Sequence, residues 1–251
     1  MSRAAADQVC KLILLGNGSV GKSSIIARFT DDGFQRVYKQ TVGLDFFEKL
    51  VTIRGTRRLK LQVWDIGGQS VGSRMLPKYI YGAHVIFLCY DVTDPTSFRD
   101  LEDWLRLARR VVGGGPGVGG APAPPPSLAG RPRAKLYAVG NKLDLEHLRK
   151  VTKLQHDAFV REHRLAGGHL VSAQSGQNVL TSFYKTAAEL AGIKLTAHEI
   201  EFTKKVLEVN VVAGDDDART AIADQIEAED RAAEEARRKR ENRRFPRCVC
   251  M

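Results

Sequence analysis

The sequence has no apolar run near the roughly 20 residues that a membrane-crossing helix needs. It holds only four cysteines and two tryptophans, and aromatic residues make up 7% of its 251 positions. Cysteines so placed exclude a disulfide framework. Cys10 and Cys89 sit in apolar runs and read as small buried hydrophobes, and Cys248 and Cys250 fall in the last four residues. The start, MSRAAADQV, lacks the apolar core of a secretory leader. A reducing cytosol is the expected compartment. Acid is in short supply too: 29 acidic residues face 39 basic ones, a net charge of +10. That excess suits an anionic partner, whether nucleic acid, acidic lipid or acidic protein. Hydrophobic residues at 43% can bury the core of one ordinary domain with appendages.

Against these absences stands one dense stretch. Residues 16–23 read GNGSVGKS, between the apolar run VCKLILL and the helix-like SSIIARF. The spacing fits G-x-x-x-x-G-K-[ST]. Glycines let a backbone turn tightly and approach a ligand closely. Successive N–H groups then form an anion-binding hollow, and the helix that follows adds the positive end of its dipole. Gly18, Ser19, Val20, Gly21, Lys22, Ser23 and Ser24 are the expected lining. Lys22 reaches the β and γ phosphates, and the Ser23 hydroxyl ligates Mg²⁺. A bare tight turn is the rival reading, and the strand–loop–helix context argues against it.

Apolar runs at 9–15, 46–53, 59–64, 84–91, 136–140 and 169–172 read as strands. Stretches 23–29, 97–112, 154–163 and 179–191 read as helices. Alternation of this kind predicts an α/β fold of the P-loop NTPase type: a mostly parallel six-stranded sheet with helices on both faces. The strands around Gly55 would pair antiparallel and put one antiparallel strand at an edge.

Further motifs follow apolar runs. WDIGGQ, 64–69, places Asp65 at the carboxyl end of a strand, where ligands of open α/β sheets bind. Asp65 fits the carboxylate that holds Mg²⁺ through water, and Gly68 can offer an N–H to a γ-phosphate. Thr41 lies just before a strand in YKQTVGLDF. Asn141-Lys142-Leu143-Asp144 follows another strand, and Ser172-Ala173-Gln174 the last. A carboxylate such as Asp144 can accept two parallel hydrogen bonds from the N1–H and 2-amino group of guanine. Adenine offers neither and would leave a dehydrated charge unpaired. Asn141 braces the loops, Lys142 lies along the base, and the Ala173 N–H meets the guanine O6. Any one motif occurs by chance in loops; all five in this order argue for guanosine triphosphate and diphosphate as ligands.

These residues resemble the small GTPases of the Ras superfamily, and the Rab family within it, over residues 11–195. QTVGLDFF, WDIGGQS, MLPKYIYGA and GNKLDLEHLR mark out one branch of that family. The resemblance implies that Ser23 and Thr41 ligate Mg²⁺ directly and that Phe34 packs edge-on against the base. It places switch segments at 35–47 and 67–81, the surface for effectors. It gives Gln69 the catalytic role of orienting the attacking water. No arginine is placed to add charge in cis, so hydrolysis is slow until an activating protein binds; an exchange factor reloads the site. Most Rab relatives carry Ala at the position of Gly67 and Glu at that of Ser70, and Lys where Gln174 stands. Gly67 is expected to loosen the second switch segment, and the missing Glu at Ser70 to alter hydrolysis or exchange. Two rival readings remain: a nucleotide-bound scaffold without turnover, and a basic nucleic-acid-binding protein.

Outside the 11–195 domain lie a short extension, 1–10, and a charged tail, 196–247. A glycine- and proline-rich insertion, 113–133, has little to bury and reads as a surface spacer. Thr196 and Glu199 have capping-box spacing for one more helix, to about 209. Pairs such as Glu227/Arg231 favour a solvated helix further on. The chain ends CVCM, a C-a-a-X box whose methionine favours farnesylation of Cys248. A single lipid gives reversible membrane binding, and the basic stretch 237–247 supplies a second attraction to an anionic leaflet. With Phe245 alone among those arginines, single-stranded bases have little to stack on, so a membrane fits better than nucleic acid. The expectation is a monomer cycling between cytoplasm and the cytoplasmic leaflet, in endosomal or ciliary membrane traffic as the branch resemblance implies.

Overall fold

The structure is a computed structural model that describes residues 8–31, 44–54, 57–67, 75–112, 134–196 and 199. The chain divides into two units, Met1–Val212 and Ala213–Met251, and every described residue belongs to the first.

Six strands form one sheet: β1 Gln8–Leu15, β2 Leu44–Ile53, β3 Arg57–Ile66, β4 Val85–Asp91, β5 Lys135–Asn141 and β6 Gly167–Leu170. Their order is β2-β3-β1-β4-β5-β6. All neighbours run parallel except β2 and β3, which pair antiparallel from Leu44 opposite Ile66 to Ile53 opposite Arg57. The antiparallel pair therefore lies at the edge, as the short spacing between the two runs predicts. Parallel strands covered on both faces carry near-continuous apolar runs, and the second half of β1 illustrates it. Cys10, Leu12 and Leu14 belong to one core cluster; Ile13 and Leu15 belong to the other.

Helices α1 Lys22–Asp31 and α6 Val179–Leu190 cover the first face. The rings of Phe29 and Phe183 stack there at 3.9 Å. Helices α2 Leu76–Ile80, α3 Pro95–Arg99, α4 Leu101–Val112 and α5 Lys153–Glu162 complete the set. Leu76, Ile80, Leu101, Trp104 and Phe159 belong to the second cluster. Buried Lys49 of β2 donates to the Phe29 and Thr30 carbonyls and so closes the end of α1.

The structure departs from the sequence reading in three places. The helix expected over 97–112 begins earlier and is interrupted: Asp94 accepts the Thr96 and Ser97 N–H groups and starts α3 at Pro95, and α4 follows after Asp100. Helix α2 is too short for its apolar period to show. The last strand lies two residues earlier than its apolar run, because Gly167 and Gly168 pair with Tyr137 and Ala138 despite offering no side chain. Thr196 and Glu199 do form the expected capping box; the Thr196 N–H and hydroxyl reach Glu199 Oε2, and the Glu199 N–H returns to Thr196 Oγ1. The rest of that helix, the insertion 113–133 and the tail to 251 lie outside the described residues.

Two histidines lie against the sheet. His156 is 2% exposed and its Nδ1 shares a hydrogen with the Tyr90 hydroxyl at 3.0 Å. His169 stacks on Tyr137 at 5.3 Å. Burial lowers both pKa values from 6.5 to about 4; neighbouring Arg149 and Lys153 add to this for His156, opposed by Asp157, and Lys185 adds for His169. The unfolded chain therefore takes up protons before the folded one does. Stability should fall as pH drops from 6.5 toward 4, by up to about 1.4 kcal/mol per pH unit for each histidine. Urea midpoints between pH 7.5 and 5 check this, and the slope should shrink in a His156→Gln variant.

Candidate nucleotide-binding site

The carboxyl ends of β1, β3, β4, β5 and β6 lie along one edge of the sheet, and the sequence motifs follow them. β1 leads into residues 16–21. Gly16 has φ +146°, and a Cβ there would come 2.1 Å from the Cys89 carbonyl oxygen. Gly21 has φ +91°, and its Cβ would meet Asn141 Nδ2 at 2.3 Å. Side chains are excluded at both positions. Ser19 between them is also left-handed, at φ 63°. Such reversals turn successive N–H groups into a hollow.

Lys22 opens α1 and is 6% exposed. Its ammonium donates to the Gly16 carbonyl at 2.9 Å and the Asn17 carbonyl at 2.8 Å, arching over the loop. Burial lowers its pKa, opposed by the nearby Cys89 and Asp65. Asn17 is fixed from the second face: its Nδ2 donates to Asp100 at 2.6 Å, and its Oδ1 accepts the Trp104 Nε1–H at 2.9 Å. An amide can do both and a carboxylate cannot.

The Ser23 hydroxyl donates to Asp65 Oδ2 at the end of β3, where Asp65 is 1% exposed. Two hard oxygens side by side, one of them anionic, fit Mg²⁺, which takes few protein ligands and completes its shell with phosphate oxygens and water. Gly18, Ser19 and Ser23 are exposed and Val20 is buried, with Ser24 between. Phe34, Thr41, Gly68 and Gln69 lie outside the described residues.

Across the edge, Asn141 ends β5 at 2% exposure. Its Nδ2 donates to the Val20 carbonyl at 2.9 Å, and its Oδ1 accepts the Ala173 N–H at 3.0 Å. One amide thus ties the loop after β1 to the loop after β6, the bracing expected from the sequence. Asp144 Oδ1 accepts the Ser172 hydroxyl, and Ser172 Oγ accepts the Ser175 N–H at 3.0 Å. Gln174 is exposed beside them.

Two details differ from the simplest reading. The Ala173 N–H donates to Asn141 Oδ1 within the fold. The Lys142 ammonium pairs with Asp91 Oδ2 at 2.6 Å, and Asp91 Oδ1 accepts the Thr93 N–H and hydroxyl. A left-handed backbone at φ 67° carries Lys142 there. Sequence reasoning missed Asn17, Arg28, Asp91 and Asp100. Asp91 alone left a signal, as a carboxylate at a strand end.

A model of the Ras family matches residues 11–192 of the chain. Ras-related protein Rab-28 of Caenorhabditis elegans is 34% identical over 206 residues, which cover 82% of this chain and 77% of that protein. Ras-related protein Rab-13 of Mesocricetus auratus is 35% identical over 186 residues, covering 74% of this chain and 82% of its own. The Bos taurus Rab-13 is similar at 34% over the same length.

Proposed function

Since the chain belongs to the Ras family and is a Rab-type GTPase that converts GTP to GDP and phosphate, we propose that the loops at the carboxyl edge of its sheet form a nucleotide-gated switch in membrane traffic. Gly18, Ser19, Val20, Gly21, Lys22, Ser23 and Ser24 cradle the phosphates. Ser23, Thr41 and Asp65 hold Mg²⁺, which when bound neutralises charge on the phosphate oxygens. Asn141, Lys142 and Asp144 with Ser172, Ala173 and Gln174 hold the guanine, and Phe34 packs at its edge. Gln69 orients the water that attacks the γ-phosphate, and Lys22 and the loop N–H groups stabilise the charge that develops.

Thr41 and Gly68 sense the γ-phosphate, and its loss releases segments 35–47 and 67–81. Effectors bind those segments in the GTP state; an exchange factor and an activating protein set the cycle. Farnesylation of Cys248, with the basic stretch 237–247, gives reversible attachment to the cytoplasmic leaflet. The traffic step is endosomal or ciliary, in keeping with the resemblance to the Rab-28 branch.

The observation that best supports this reading is the Asn141 amide, which joins the phosphate loop to the base loop through Val20 and Ala173. Two halves of one ligand site need such a tie, and two unrelated loops do not. Single-turnover hydrolysis tests the switch. A Gln69→Leu chain should release phosphate about tenfold to a hundredfold more slowly, since a misplaced nucleophile costs that much. An unchanged rate would point to a scaffold without turnover.

A further inference from the structure

Helix α1 carries Lys22 and Ser23 at its start and Arg28 in its last turn. The Arg28 guanidinium reaches the loop after β6. Its Nε donates to the Ala173 carbonyl at 3.1 Å, and its Nη2 donates to the Gln174 carbonyl at 2.6 Å. Gly176 lies against the same side chain; a Cβ there would stand 3.4 Å from Arg28 Cδ, on a backbone with φ +81°. The loop closes on itself as well, with the Gly176 N–H on the Ser172 carbonyl at 2.9 Å. It is thus gripped from two sides: Asn141 takes the Ala173 N–H, and Arg28 takes the two carbonyls that follow.

A trans peptide is planar, and its C=O and N–H point in opposite directions. Fixing a carbonyl therefore aims the next N–H. Arg28 on the Gln174 carbonyl aims the Ser175 N–H, and that group is found on Ser172 Oγ at 3.0 Å. Ser172 in turn donates to Asp144. By the same geometry Arg28 on the Ala173 carbonyl aims the Gln174 N–H away from α1. We propose that Arg28 is a positioning residue for purine recognition, holding the Ala173 and Gln174 carbonyls so that the N–H groups of this loop stay aimed at the oxygen at purine position 6. The inference rests on the nucleotide reading above and adds a residue to it. It makes α1 a rigid link between the phosphates at its start and the base at its end.

The planar fork of arginine suits two adjacent carbonyls, and the point charge of lysine does so less well. Release of fluorescently labelled GDP from the full chain is the experiment, with urea midpoints measured alongside. Arg28→Ala should speed release roughly tenfold or more, because two charge-assisted hydrogen bonds are lost; Arg28→Lys should fall between. The distinguishing readout is selectivity. The preference for GDP over 6-thio-GDP, which differs only at position 6, should shrink in Arg28→Ala. The preference for GDP over IDP, which lacks the 2-amino group read by Asp144, should shrink much less, since Ser172 keeps its own hydrogen bond to Asp144. Equal weakening toward all three ligands would overturn the proposal and leave Arg28 a support of the fold. Unchanged release would overturn it as well. Failure of the parent chain to take up GDP at micromolar concentration would remove the nucleotide reading itself, a result distinct from either.

Discussion

Lys22→Ala is expected to bind GTP and GDP roughly 10²- to nearly 10⁴-fold more weakly than the parent chain, since removing one partner of a desolvated charge pair costs about 3–5 kcal/mol. The reason lies in where the ammonium sits. It is 6% exposed, and its Gly16 and Asn17 contacts hold it over the loop. Little side-chain entropy is left to lose on binding. Burial already lowers its pKa, so its positive charge is poorly solvated and gains from an anion. Equilibrium titration with labelled GDP measures the loss. Thermal melting of the variant separates weak binding from a damaged fold. A variant that melts as the parent does and still binds GDP at full affinity would end the phosphate-cradle account.

Asp144→Asn should exchange guanine for xanthine preference, moving the ratio of the two affinities by roughly 10³ or more. An asparagine amide can face a ligand with either its oxygen or its NH₂. Ser172 decides which. Its Oγ accepts the Ser175 N–H, so its own hydrogen is directed at residue 144. That hydrogen needs an acceptor, and the new amide oxygen must turn to it. The NH₂ then faces the ligand. It collides with the 2-amino group of guanine and matches the 2-oxo group of xanthine. Competition of GTP with XTP for the variant reads the result. Removing the Ser172 hydroxyl in the same background should weaken the exchange, as the amide becomes free to flip. Retained guanine preference would mean that Asp144 does not face the base.

Much of this was legible before any coordinates. The strands announced themselves as apolar runs because a parallel sheet buried on both faces has no polar side to break the run; Ile13 and Leu15 on one face and Leu12 and Leu14 on the other make the point. The loop 16–21 was legible because steric law leaves glycine alone at Gly16 and Gly21. Helix α2 was not, since five residues are too few to show a 3.6-residue period. The break between α3 and α4 was missed because Asp94, the cap that starts α3, sits three residues before the first residue counted as helical.

The order of apolar runs and motifs along the chain determined the fold class and placed each motif-bearing loop after its strand, because each depends on residue type at short spacing. Tertiary structure alone decided how they are joined. Arg28 lies 145 residues from Ala173, Asn17 lies 83 from Asp100 and Asn141 lies 121 from Val20. No local pattern records such pairs. They arise where parallel strands bring distant loops to one edge, and where a buried polar group must take whichever partner the packing places within reach.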